Sequence, residues 1–131
     1  MTMATTPIGK TVLLVEDDSW LRYIMAELLA DDGYQVREAA TGTQALALVE
    51  KETPDAVVLD LNLPELSGLD VLHELRTSKQ LVSLPVIVLS GSLDGDARQR
   101  LSRMCERADH VFEKPVDVGQ LFERLEEAIV G

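Results

Sequence analysis

The chain of 131 residues, 46% hydrophobic and 27% charged, has material for one domain with an ample aliphatic core and too little for a two-domain enzyme. Twenty-three acidic against twelve basic residues leave a formal net charge of −11, which repels nucleic-acid phosphates and anionic membranes, and 4% aromatic content offers no stacking platform for bases. The single Cys105 excludes an intrachain disulfide, and there is neither an apolar run near the roughly 18 residues of a membrane span nor an apolar centre in MTMATTPIGK, so a cytoplasmic protein is expected.

Residues 1–9, Thr-rich and containing Pro7, read as a flexible tail, and 10–131 as the domain. A strand is predicted at 11–15, followed by a helix whose Leu21, Ile24, Met25, Leu28 and Leu29 form one buried face, with Asp18 as its N-cap. Strand 34–36 precedes a helix at 41–52 with Ala45, Leu48 and Val49 inward. Strand 56–59 precedes a helix at 68–79 with Leu69, Leu72 and Leu75 inward. Strand 85–89 leads to a less regular helix at 96–107, where Cys105 reads as a small buried residue and Arg100, Arg103 and Arg107 as a basic stripe. Strand 110–112 is followed by a last helix opened by Asp117 and Gln120 in a capping-box pattern and packed through Leu121, Leu125 and Ile129.

Strict alternation of strands and helices argues for a parallel α/β sheet wound on both faces, five strands and five helices in all. VLLV, AVVL and VIVL are continuously apolar, as central strands buried on both sides should be, and YQV reads as an edge.

In such a sheet the functional crevice lies at the C-terminal ends of the strands. Those ends carry Glu16, Asp17 and Asp18, then Asp60, then Ser90, then Glu113, Lys114 and Pro115. Carboxylates crowded together need a cation, and oxygen ligands without His or Cys specify Mg²⁺ or a similar ion. An Asp beside such an ion and a lysine is placed to attack phosphorus, which makes Asp60 the candidate acyl-phosphate.

LLVEDD, VVLDLNLPELSGLDVL, PVIVLSG and VFEKP, in this order at strand ends, resemble the four motifs of a response-regulator receiver domain over about 10–130. The resemblance implies a flavodoxin-like (βα)5 sheet of order 2-1-3-4-5. It also implies phosphoryl transfer to Asp60 from a sensor histidine kinase, a histidine phosphotransfer protein or a small donor such as acetyl phosphate. Glu16, Asp17, Asp60 and the backbone carbonyl of Asn62 would hold Mg²⁺, Ser90 and Lys114 would contact the phosphoryl oxygens, and Gly91 would donate a backbone N–H. Pro115 fits the family's cis peptide, and Asn62 and Ser92 flank the site where the family tunes acyl-phosphate lifetime. Phosphorylation would draw Ser90 inward and reshape a protein-binding face made by the predicted fourth helix, the fifth strand and the last helix. A stand-alone receiver and the N-terminal part of a longer regulator both fit.

Two departures from the family pattern stand out. Glu16 replaces the usual Asp, with a methylene that could place a water between it and the ion, and Val111 stands where many receivers carry a switching aromatic while Phe112 points the other way. Trp20 is either a packing residue or an exposed contact for the kinase. His73 and His110 share no metal-ligand spacing and read as ordinary residues. ATTPIGKT mimics a phosphate-binding loop but precedes a strand instead of following one. An aspartyl-nucleophile phosphatase would want an acid at Asn62 and a longer chain, which leaves a phosphorylation-independent binding module as the other alternative to a switch that turns over only its own phosphate.

Overall fold

The computed structural model describes residues 9–91 and 110–130. The predicted helix at 96–107, with Cys105 and the three arginines, lies outside the described residues, as does Ser92.

In chain order the elements are β1 (Thr11–Val15), α1 (Ser19–Asp31), β2 (Gln35–Ala39), α2 (Gly42–Lys51), β3 (Ala56–Asp60), α3 (Gly68–Arg76), β4 (Val86–Ser90), β5 (His110–Glu113) and α4 (Val118–Val130). The strands form one parallel sheet of order β2-β1-β3-β4-β5, the flavodoxin-like order implied by the motifs. The three continuously apolar runs are its central strands, and β3 and β4 are buried at every position.

Alternate residues of each central strand feed two separate cores. Leu13, Val15, Val57 and Leu59 pack with Ala45 and Val49 of α2 and Val71, Leu72 and Leu75 of α3. Val12, Leu14, Val58 and Ile87 pack on the other face with Met25 and Leu29 of α1 and Leu121 and Leu125 of α4. Each fully buried Leu or Val contributes roughly 1.5–3 kcal/mol relative to exposure, so the layers hold the strand ends in fixed positions. Val111 packs towards the first core and Phe112 towards the second, which puts Phe112 on the face opposite the position of the switching aromatic.

Side chains define where the helices start. Asp18 accepts from the N–H groups of Trp20 and Leu21 at 3.0 and 3.2 Å, Thr41 Oγ1 from Gln44 at 3.1 Å, and Asp117 from Gln120 at 3.1 Å. Such caps are each worth about 1 kcal/mol.

Two boundaries differ from the sequence expectation by more than one residue, and one predicted helix face is buried less widely than expected. The second strand is Gln35–Ala39 instead of 34–36, because an edge strand is partly solvated on both faces and tolerates Arg37 on one and Glu38 on the other while their backbones pair with Leu13 and Leu14; the Tyr34 N–H turns back to the Leu29 carbonyl. Helix α3 stops at Arg76, where the chain turns through Gln80 at φ 56° and the buried Arg76 guanidinium donates to the carbonyls of Leu81 and Leu84. On α1, Met25 and Leu29 are buried as expected but Leu28 is exposed, since the sheet covers a narrower stripe than the apolar spacing allows.

Candidate functional site

Parallel pairing brings four strand ends to one level. Val15 pairs with Leu59, Asp60 with Leu89 and Ser90 with Glu113, so Glu16, Asp60, Ser90 and Lys114 emerge side by side. Two backbone bonds continue the ladders into the site: Glu16 N–H donates to Ala39 at 3.0 Å and Lys114 N–H to the Ser90 carbonyl at 2.7 Å.

Glu16, Asp60 and Ser90 are each about 1% exposed, unusual burial for polar groups that must then be paired. The pairing cation is Lys114, whose Nζ donates to Glu16 Oε1 at 2.9 Å and Asp60 Oδ2 at 3.0 Å. Asp60 Oδ1 accepts the Asn62 N–H at 2.9 Å, and Glu16 Oε2 accepts the Asp18 N–H at 3.3 Å. The exposed Asp17 completes a triad in which carboxylate oxygens of Glu16, Asp17 and Asp60 all lie within 4.8 Å of one another. This all-oxygen donor set, two members of it buried, fits a hard divalent cation.

Charge crowding shows in the titration of the site. Burial, then the hydrogen bond and the charge of Asp60, push the Glu16 carboxyl from its ordinary 4.5 up to about 7, against the pull of Lys114 and the Asp18 N–H. For Lys114, burial disfavours the ammonium, but hydrogen bonds to and charges of Glu16 and Asp60 outweigh it and raise the pKa.

The loop after Asp60 is shaped by Gly68, whose N–H donates to Leu61 at 3.1 Å; a Cβ there would run into the Asp60 carbonyl oxygen and sit 2.6 Å from Leu61 Cα. Only glycine lets the start of α3 lie against the backbone that carries Asp60. Gly91 is exposed beside the Asn62 side chain, whose Nδ2 would be 3.1 Å from a Cβ at position 91. The Lys114–Pro115 peptide is cis.

All the described site residues singled out in the sequence therefore converge. Trp20 resolves as an exposed residue, its ring stacked on the equally exposed Tyr23 at a centroid distance of 6.1 Å. His73 is exposed on α3, and His110 is half-buried at the start of β5. Sequence reasoning gave Lys114 to the phosphoryl oxygens and did not name its direct bond to Glu16. It also passed over Arg22, whose Nη1 donates to the Glu16 carbonyl at 2.8 Å. No local pattern marks Arg22; its role depends on where α1 crosses the end of β1.

The class that the fold and site define is an α/β protein with a parallel five-stranded sheet of order β2-β1-β3-β4-β5 and a buried aspartate, an acidic triad and a bridging lysine at its strand ends. Residues 12–126 match the family model described as "Response regulator receiver domain", and the chain belongs to that family. It is 35% identical over 116 residues to the probable transcriptional regulatory protein TcrX of Mycobacterium tuberculosis, covering 88% of this chain and 47% of that protein. It is 30% identical over 114 residues to sporulation initiation phosphotransferase F of Bacillus subtilis, covering 87% and 89%. Several of the curated relatives it matches are thus about twice its length. Among solved structures, a response regulator receiver domain from Clostridium thermocellum shares 30% identity at a TM-score of 0.81 over 92% of this chain and 94% of that one. A CheY-like receiver from Methanospirillum hungatei shares 25% at 0.83 over 93% and 94%. Receiver domains bind Mg²⁺ at an acidic pocket, and this chain carries an acidic cluster of Glu16, Asp17 and Asp60. Among the described residues no helix is long and apolar enough to cross a membrane.

Proposed function

We propose that this chain is a phosphorylation switch of two-component signalling, with Asp60 as the residue that accepts the phosphoryl group from a phosphohistidine of a sensor kinase or phosphotransfer protein. The observation that carries this reading is the Lys114 ammonium bridging two buried carboxylates, Glu16 and Asp60, inside an all-oxygen triad. An Asp60 carboxylate oxygen forms the new bond to phosphorus as the bond from phosphorus to the donor imidazole nitrogen breaks, and the imidazole leaves with a proton taken from solvent. Lys114 pairs with the phosphoryl oxygens, Ser90 hydrogen-bonds them and the Gly91 N–H supplies a further donor. Glu16, Asp17, Asp60 and the Asn62 carbonyl hold Mg²⁺, which when bound offsets the negative charge on the transferring group. Hydrolysis returns Asp60 to its free carboxylate, so the chain turns over its own phosphate only, and Asn62 beside Gly91 stands where attacking water must pass.

The donor has to approach Asp60 closely, so it covers the rim of the site. On the first turns of α1 Trp20 and Tyr23 present an exposed stacked aromatic pair, and Leu21, Ile24 and Leu28 of the same helix form an apolar groove with Pro115, Val116 and the site's own Lys114. Large exposed aromatics of this kind anchor protein partners, and the groove is continuous with the phosphoryl site. The phosphorylated residue is identified by treating the protein with acetyl phosphate and Mg²⁺, reducing with borohydride and mapping peptides: homoserine at position 60 is expected, and reduction at another aspartate would overturn the assignment.

A further inference from the structure

We propose that Arg22 is a positioning residue for the cation site, locking the peptide plane between Glu16 and Asp17 and thereby aiming both carboxylates. The inference rests on the reading of Glu16, Asp17 and Asp60 as the metal carboxylates.

The geometry is a three-point brace. Arg22 Nη1 donates to the Glu16 carbonyl oxygen at 2.8 Å, and its Nε lies 3.4 Å from Glu38 Oε1 on β2. Its own N–H is fixed to the Asp18 carbonyl at 2.9 Å in the capped first turn of α1. The Glu16 carbonyl belongs to the peptide whose nitrogen is that of Asp17, so rotating this plane swings the Asp17 side chain out of the triad. On its other side Glu16 is held through its N–H to Ala39. Glutamate has one more torsion than the aspartate usual at this place, and its carboxylate is therefore harder to aim; a fixed main chain limits that freedom.

The charge of Arg22 makes the inference discriminating. A guanidinium close to the triad repels a divalent cation, so electrostatics alone predicts tighter Mg²⁺ binding when the charge is removed. Positioning predicts the opposite. Lysine keeps the charge but not the planar fork that reaches a carbonyl and a carboxylate together.

Mg²⁺ affinity is measured by calorimetry, with fluorescence of Trp20, the chain's one tryptophan, as a second signal. Arg22→Lys and Arg22→Gln are each expected to bind about tenfold more weakly, the scale typical for partners that orient metal ligands. Circular dichroism confirms that each is folded at the titration temperature; a brace that serves folding alone would lower Tm and leave the affinity of the folded protein unchanged. Unchanged affinity in the lysine variant, or tighter binding in the glutamine variant, overturns the inference while the metal site stands. Absence of Mg²⁺ binding by the parent protein overturns the metal-site reading and this inference with it.

Discussion

Lys114 and Asp60, 54 positions apart in sequence, meet through a 3.0 Å bond between Nζ and Oδ2, and the same ammonium reaches Glu16 at 2.9 Å. One cation thus compensates two carboxylates that are almost fully buried. Removing it as Lys114→Ala leaves both without a counter-charge. In metal-free buffer the variant should lose roughly 2 kcal/mol of stability, less than the full cost of breaking a buried pair because the lysine side chain is 23% exposed. Urea denaturation with and without Mg²⁺ checks this, and Mg²⁺ should restore more stability to the variant than it adds to the parent. Phosphorylation by acetyl phosphate should slow by at least about tenfold, from the lost charge on the phosphoryl oxygens.

Glu16 makes the site sensitive to pH. Its carboxyl is raised to about 7 in the folded protein, so the folded chain holds this proton more tightly than the unfolded one. That contribution to stability is fully present below the ordinary carboxylate range and is lost as pH rises through about 7. Metal-free protein should therefore lose Tm between about pH 5 and about pH 8, and Glu16→Gln should flatten the profile. Since Mg²⁺ competes with the same proton, its affinity should rise over that interval in the parent and not in the variant. An identical slope in both proteins would assign the titration elsewhere.

Gly68 couples the fold to the chemistry. Alanine there would push a Cβ into the backbone of Asp60 and Leu61. Gly68→Ala should destabilise by about 2 kcal/mol, an overpacking cost, and should slow phosphorylation even at temperatures where the variant is fully folded. A destabilised variant with parental phosphorylation kinetics would show that Asp60 keeps its place without this contact.

The sequence carried the site and the sheet further than it carried the surfaces. Continuous apolar runs identified β1, β3 and β4 because strands buried on both faces leave no room for polar residues, and the acidic and basic residues at their ends located the crevice. The edge strand β2 was shortened because Arg37 and Glu38 give no apolar signal, although their backbones complete the ladder with β1. Leu28 shows the converse: apolar spacing places it inside, whereas it is exposed in the wall of the groove along α1. Arg22 was illegible for a third reason, since its partner is a main-chain carbonyl, which every residue has, and only the crossing of α1 over the end of β1 selects Glu16.

Trp20 and Tyr23 separate the two kinds of donor. Trp20→Ala should slow phosphotransfer from a phosphorylated histidine protein about tenfold or more, the loss of an aromatic anchor. The rate with acetyl phosphate, which needs no docking surface, should change less than about twofold. Equal rates with both donors would place the protein contact on another face.

The central claim is that Asp60 accepts a phosphoryl group with Mg²⁺ at the acidic triad. Intact-mass spectrometry after acetyl phosphate treatment, with and without Mg²⁺ and with Asp60→Asn alongside, tests it most directly. The account predicts the mass of one added phosphoryl group in the parent with Mg²⁺, none without the ion and none in the variant. Addition that persists in Asp60→Asn, or that never forms in the parent with acetyl phosphate or with phosphorylated kinases, would contradict it.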